Sequence, residues 1–465
     1  MPDAPTPAPA SAPTGLRGVA PITGRLEPWM ADVLADHAGA EALLAEHGSP
    51  VNLVHPAVLP RHADELVAAA RGLGVDLRVF FARKANKVLG LVDAALAAGH
   101  GVDVASEREL EQVLARGAAP DRVIVSAAVK PVSLLTRCLE TGVVVSIDNL
   151  DELERLVALA AERQRTVPVA LRLTADLPPP AAESRFGLPA ADLLDLLDPQ
   201  HPRWRHLRLV GLHFHLHGYA AADRSVALGQ ALDLLDEARE RGHAPEFVDI
   251  GGGIPMRYLD DADQWDTFWQ AHRDGLATGT PLTWEGHPLE KVYPLWQDPV
   301  RGSWLVEAVQ PHALRLARSG VRLHAEPGRC LLDGAGLTLA RVEHRKQRSD
   351  GTWLVGLAMN RTQCRSAADD FLLDPVLLPA PGAPRSEPGE GYLVGAYCIE
   401  AELLTWRRMV LEDGVAVGDV VAFVNTAGYQ MHILESASHQ IPLARNLVPD
   451  GEAEGAGWVL DRIDR

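Results

Sequence analysis

Cysteine is scarce in this sequence. Cys138, Cys330, Cys364 and Cys398 are its four, and they lie far apart. No two form a CxxC pair, so neither a zinc site nor a disulfide framework is suggested. That usage fits a reducing, cytoplasmic setting. Basic charge is in deficit as well. The 44 lysines and arginines are outnumbered by 62 acidic residues, a net charge of −18. No basic stripe offsets the acidity, which argues against nucleic acid as a partner. An anionic ligand must therefore be held by local groups against an unfavourable overall field. Apolar runs are short: none reaches the roughly eighteen residues that a membrane span needs. The start, "MPDAPTPAPASAPT", lacks a basic region followed by an apolar one and does not read as a secretory signal. Its Pro/Ala-rich composition predicts a disordered tail over residues 1–20.

What is present is regular. The 465 residues suffice for two or three domains. A helical segment at 21–50 is expected to pack with a later β domain. From about residue 50, β-branched runs alternate with Ala/Leu-rich helical runs. The strands read as 77–82, 101–105, 122–127, 143–148, 167–173, 209–217, 246–251 and 321–326. Such alternation predicts a parallel sheet, and eight strands fit an α/β fold of the (β/α)8 TIM-barrel type over residues 51–330. An open doubly wound sheet is the alternative. The connection at 257–320 is too long for one helix and carries Trp265, Trp269, Trp284, Trp296 and Trp304, half of the ten tryptophans. It reads as an ordered insertion: a lid, an interface or simple packing. Residues 331–465 read as a mostly β C-terminal domain, with a proline-rich surface loop at 379–391.

In a barrel, chemistry gathers at the carboxyl ends of the strands. The first predicted strand, within "RVFFARKANK", ends at Lys84. Lysine is almost never fully buried unless it is paired. The residue is either a solvent-reaching strand end or an amine held in a site, where burial lowers its pKa and makes it nucleophilic. The other strands weigh on that choice. Their ends carry Asp103, Arg172, the histidines His213, His215 and His217, the run Gly251-Gly252-Gly253, and "EPGR" from Glu326 through Gly328 to Arg329. Side-chain-free glycines let backbone amides approach an anion, and Arg329 adds a planar donor suited to phosphate. Together they suggest a phosphorylated ligand. The alternating histidines would share one strand face and could bind zinc. No carboxylate cluster accompanies them in sequence, so no metal is expected.

The ordered blocks "FFARKANK", "GVDVASERELEQVLARG", "GLHFHLHG", "VDIGGGIP", "HAEPGR", "GAYCIEAE" and "NTAGYQMHILES" resemble the fold-type III pyridoxal-phosphate decarboxylases. That family includes diaminopimelate and ornithine decarboxylases and shares its barrel with alanine racemase. The resemblance runs from about residue 50 to 440. It implies pyridoxal 5'-phosphate as cofactor, with Lys84 as the Schiff-base lysine and His215 flat against the pyridine ring. It places Glu326 beside the ring nitrogen, with Gly251, Gly252, Gly253, Gly328, Arg329 and Tyr429 around the phosphate. Asp103, Arg172 and the Ser184–Gly187 stretch take supporting positions. A carboxylate at the ring nitrogen favours a protonated, electron-withdrawing ring, which ranks decarboxylation above racemisation. Cys398 matches a cysteine that reaches a neighbouring subunit's site, implying a homodimer with interfacial active sites.

The sequence departs from the family pattern near the substrate. Ile399 stands where an acidic residue usually reads a distal amine, with Glu400 and Glu402 out of register. Cys364 stands where an arginine is expected, and Arg365 follows it. The usual histidine-block serine is replaced by His217-Gly218. These changes point to a larger or modified amino acid as substrate, rather than diaminopimelate, lysine or ornithine. A racemase or epimerase on the same cofactor is the rival enzyme. A catalytically inactive homologue acting as a binding protein is the rival of another class, and metal-dependent hydrolysis by the histidine strand is the remaining option.

Overall fold

A computed structural model describes residues 15–179, 184–366, 371–451 and 457–465. The chain divides into two compact units. One holds Pro56–Met256 and Gln297–Leu332; the other gathers the chain up to His55, Arg257–Trp296 and the chain from Asp333 onward.

The first unit is a closed barrel of eight strands. They are Leu77–Ala82, Gly101–Val104, Val123–Val125, Val144–Ile147, Val167–Arg172, Leu207–His213, Phe247–Asp249 and Arg322–Ala325. Every neighbouring pair is parallel, including the closing pair of the last strand with the first. The open-sheet alternative is therefore excluded. These strands are rich in valine, isoleucine, leucine and phenylalanine, as suits strands covered on both faces. Helices enter from the carboxyl rim with side-chain caps. Ser106 accepts from Glu109 N at 3.2 Å, and Asn149 accepts from Glu152 N at 2.9 Å. Each cap satisfies an otherwise orphaned helix donor.

The barrel interior follows from a period of two. Phe80, Gly101, Gly211, Phe247 and His324 occupy its lower part. A Cβ on Gly211 would strike the Phe247 ring, and one on Gly101 would strike Phe80. The glycines thus leave room for the rings, and His324 stacks on Phe247 at 4.1 Å between centroids. Two residues beyond Gly101, Gly211, Phe247 and His324 the chain turns polar, at Asp103, His213, Asp249 and Glu326.

Several boundaries differ from the sequence reading. The sixth strand ends at His213, so His215 and His217 lie on the following loop and the three histidines share no strand face. Residues 1–14 of the expected tail lie outside the described residues, but Leu16–Gly18 is a strand paired antiparallel with Met409–Leu411. Val51–Val54 is not part of the barrel; it pairs antiparallel with Gly336–Gln347 in the second unit. The tryptophan-bearing excursion is divided. Residues 257–296, including the helix Ala262–Thr278, belong with the β unit, whereas helix Arg301–Val309, with Trp304 buried, returns to the barrel.

The second unit is built on a ten-stranded sheet. Its long central strand, Gly336–Gln347, pairs antiparallel with Trp353–Leu357, Val420–Val424 and Val51–Val54. The helix His37–His47 lies against that central strand. Among the described residues no helix is long and apolar enough to cross a membrane.

Candidate active site

Lys84 sits on the short 3-10 turn Arg83–Ala85, directly after the first strand. Its Nζ donates to Asp103 Oδ2 at 2.8 Å, and the side chain remains 37% exposed. The amine is thus neither free in solvent nor sealed in the core. Asp103 is buried, and Ser126 Oγ donates to its other oxygen at 2.5 Å. Burial, then the charge of Glu326, pushes the Asp103 carboxyl up; the Lys84 ammonium opposes that rise.

Across the barrel, Arg172, His213 and Asp249 are register neighbours on consecutive strands. Ser146 Oγ and His213 Nδ1 share a hydrogen bond at 2.6 Å. His213 Nε2 lies 3.6 Å from Glu326 Oε2, too long for a good hydrogen bond. His213 Nε2, Glu326 Oε1 and Asp249 Oδ2 are buried without a hydrogen-bond partner among the described residues. Burial raises the Glu326 carboxyl, with the positive charges of Lys84 and Arg172 opposing. Asp249 is raised well above the usual carboxylate range by burial and then by Glu326. His213 is held neutral by burial and by the Arg172 guanidinium. Ligand atoms of His213, Asp249 and Glu326 fall within 4.8 Å of one another. The triad is thus a cluster of one histidine and two carboxyl groups that folding assembles at the ends of three strands.

Arg172 Nη1 donates to Asp148 Oδ1 at 3.0 Å, and Gly187 N donates to the same oxygen at 3.2 Å. The guanidinium lies 4.4 Å from the Phe186 ring centroid, and Phe186 meets His215 edge-on at 6.4 Å. The Ser184–Gly187 stretch is in this way tied to the barrel rim.

Gly251 and Gly253 adopt positive φ, 66° and 74°. A Cβ on Gly251 would lie 2.7 Å from Phe214 O, and one on Gly252 would lie 2.7 Å from Glu326 O. Only glycine fits, for both conformation and space. Gly252 N donates to His215 Nδ1 at 3.2 Å. That nitrogen therefore carries a lone pair, and the neutral ring bears its proton on Nε2. Burial and the charges of Arg224, Lys84 and Arg172 hold His215 well below the ordinary histidine range. Next to this turn, Glu326 N donates to Gly251 O at 2.9 Å and Ala82 N to Pro327 O at 3.1 Å. The "EPGR" loop is thereby fixed between the first and seventh strands. Gly328 is buried, and Arg329 opens the turn Arg329–Leu331.

The remaining candidates belong to the second unit. Tyr429 has φ 75°, an uncommon conformation for a bulky residue. Cys398 and Glu400 are exposed, and Ile399 is 47% exposed. Glu402 is buried instead: its Oε1 accepts from Arg361 N at 2.9 Å, and burial raises its carboxyl. Arg365 Nη2 donates to Leu403 O at 2.7 Å, with the guanidinium over Trp406. Glu402 and Arg365 are thus already engaged with their own unit.

The barrel residues fit pyridoxal phosphate. They offer an amine for the aldehyde at Lys84, a buried carboxyl at Glu326 with one oxygen lacking a hydrogen-bond partner among the described residues, a neutral ring at His215 and a glycine turn that no Cβ could occupy. Sequence reasoning passed over Ser126, Ser146, Asp148, Asp249 and Arg224. No local signal singled them out: four are ordinary polar residues at or near strand ends, and Arg224 lies within a helix.

Comparison with known proteins bears on the family and the cofactor. Residues 62–279 match the family described as "Pyridoxal-dependent decarboxylase, pyridoxal binding domain". The chain is 33% identical over 428 residues to the uncharacterized protein y4yA of Sinorhizobium fredii, covering 88% of this chain and 90% of that one. It is 28% identical over 391 residues to a diaminopimelate decarboxylase of Pseudomonas aeruginosa, covering 82% and 83%. Among solved structures, diaminopimelate decarboxylase from M. jannaschii in complex with L-lysine superposes with TM-score 0.71 at 19% identity, covering 91% of each chain. At that identity the likeness speaks to the fold. With the lysine, the carboxylate and the glycine turn converging on one barrel rim, the chain belongs to the fold-type III pyridoxal-phosphate-dependent decarboxylases, and it is a lyase that uses that cofactor.

Proposed function

We propose that this enzyme decarboxylates an α-amino acid larger than, or modified relative to, diaminopimelate, lysine and ornithine, giving the amine and carbon dioxide. The observation that carries the reaction type is Glu326. It is a buried carboxyl with one oxygen unpartnered, on the same rim as Lys84. When bound, pyridoxal phosphate supplies an electron sink for the pair that departing carbon dioxide leaves at Cα. Glu326 would hold a proton at the ring nitrogen and so keep that sink strong. Lys84, positioned by Asp103, would hold the cofactor and be released when the substrate amine takes its place. His215 would lie against the ring, and Gly251, Gly252, Gly253, Gly328, Arg329 and Tyr429 would surround the phosphate.

We assign the proton returned to Cα to the Cys398 thiol of a second subunit in a homodimer. Its exposure supports this reading, since a donor acting in trans must be reachable. The substrate class is supported by three features: apolar Ile399 is exposed beside that cysteine, Glu402 is taken up by Arg361 N, and Arg365 by Leu403 O. None of these is a charged group left over for a short, distally charged side chain.

Two measurements test the proposal. Borohydride reduction of the holoenzyme should fix the cofactor to the peptide containing Lys84. A screen of amino acids should give carbon dioxide and the matching amine with a bulky or modified substrate. Turnover of diaminopimelate, lysine or ornithine above all others would overturn the substrate class. Scrambled Cα stereochemistry without gas release would overturn decarboxylation.

A further inference from the structure

Arg224 is placed where ordinary helix energetics disfavour it. It lies in the first turn of the helix Ala221–Glu240, the end where the helix dipole repels cations. It is 1% exposed. Among the described residues it makes no ion pair. Its Nη1 donates to Ile250 O at 3.3 Å, and its Nη2 approaches Gly218 O and Gly253 O at 3.5 Å each. Its Nε is buried without a partner. Trp304 lies 5.7 Å away, with its indole N–H anchored on Tyr219 O at 2.6 Å. Burial lowers the guanidinium to about 10, so it remains charged at neutral pH.

A buried, uncompensated charge is expensive, and proteins tolerate one where a counter-ion completes the site. The counter-ion is indicated by what Arg224 touches. Ile250 O and Gly253 O bracket the triple-glycine turn, and a Cβ on Gly253 would lie 2.6 Å from Arg224 Nη2. Holding those carbonyls behind the turn points peptide dipoles with their amide ends away from the guanidinium. Gly253 N and Ile254 N have no hydrogen-bond partner among the described residues. An anion at those amides would meet a fixed positive charge behind them. Gly218, in the "HLHG" block, contributes one of the carbonyls Arg224 approaches.

We infer that Arg224 is a positioning residue for the cofactor's phosphate: from beneath the Gly251–Gly253 turn it fixes the amides that receive the phosphate and supplies the charge that balances it. This rests on the cofactor reading above. It predicts dependence on the phosphate group itself, not on the ring.

The test compares pyridoxal phosphate with pyridoxal, which lacks the phosphate. Both are titrated into the cofactor-free full chain and followed by the absorbance they develop on Lys84. Arg224→Gln should lower the ratio of the two affinities at least tenfold, with pyridoxal binding little changed. Inorganic phosphate should raise the melting temperature of the cofactor-free native chain and not that of the variant. Equal weakening of both ligands, or an unchanged ratio, would overturn the inference by reducing Arg224 to a packing role. If Arg224→Gln does not fold, Arg224→Lys decides: charge is kept but the fixed fork is lost. A ratio lowered several-fold supports the inference, and a native ratio overturns it. Failure of the native chain to take cofactor on Lys84 would instead remove the underlying functional reading.

Discussion

At the scale of the residue, the interior is unusual for the number of titratable groups it keeps neutral or unpaired. His324 is the simplest case. It is buried between Phe80 and Phe247, and burial together with Arg78 and Arg322 holds it well below the ordinary range. In the unfolded chain its value is about 6.5. As pH falls from there toward the folded value, the unfolded chain takes up a proton that the folded chain does not. Stability is therefore present above about 6.5 and is lost on acidification, by about 1.4 kcal/mol per pH unit for this one group. Urea unfolding of His324→Leu and the native chain at pH 8 and pH 5 measures this. The variant should lose about 1–2 kcal/mol less on going to the lower pH; equal losses would show that His324 is already charged in the fold. Glu326 belongs at the same scale. Glu326→Gln keeps shape but holds no transferable proton, so cofactor should still be retained while turnover falls by about 100-fold or more, in the range typical of a lost acid–base group. An unchanged rate with the true substrate would detach Glu326 from the chemistry.

At the scale of the element, the barrel works because several of its strands are apolar below and polar at the carboxyl end, as at Asp103, Arg172, His213 and Asp249. The apolar part depends on pairing small with large. Gly211 faces the Phe247 ring, and no Cβ fits between them without movement. Gly211→Ala should therefore overpack the interior and cost about 1–3 kcal/mol in denaturant unfolding. A cost near zero would mean that the ring has room to shift. The polar part depends on where each strand stops. The sixth ends at His213, and the loop beyond it turns His215 onto Gly252 N, a contact that a longer strand would not permit. The seventh ends at Asp249, whose Oδ1 accepts from Gly251 N at 2.8 Å. That bond closes the turn whose amides the phosphate would meet.

At the scale of the whole molecule, the chain interleaves its two units. The β unit takes the strand Val51–Val54 from before the barrel and residues 257–296 from within it. Activity in the proposed homodimer would need residues from two chains: Lys84 from one and Cys398 from the other. Neither Lys84→Ala nor Cys398→Ala homodimers should sustain normal turnover. Cells making both chains should recover activity, because the mixed dimer keeps one site with both groups. In Cys398→Ala alone, pyridoxamine phosphate should accumulate as the proton goes to the cofactor carbon instead of Cα. Full activity and no accumulation would leave Cys398 as an ordinary exposed thiol.

The sequence by itself determined the eight alternating strands, the lysine after the first of them, the triple glycine and the "EPGR" loop. These are local patterns, readable because strand period, glycine conformation and motif spacing act over a few residues. Ser126, Ser146 and Asp249 carry no such mark. A serine or aspartate at a strand end looks like any turn until the barrel closes and sets it against Asp103, His213 or Glu326. Arg224 carries no such mark either: it falls among the buried apolar residues of its helix, and only folding brings it beneath the glycine turn. The three-histidine face failed because a strand's length is decided by its neighbours' pairing, not by its own alternation. Which unit residues 51–55 and 257–296 joined was likewise decided by the tertiary structure, because a strand or helix is assigned by the partner that buries it, and that partner lies hundreds of residues away.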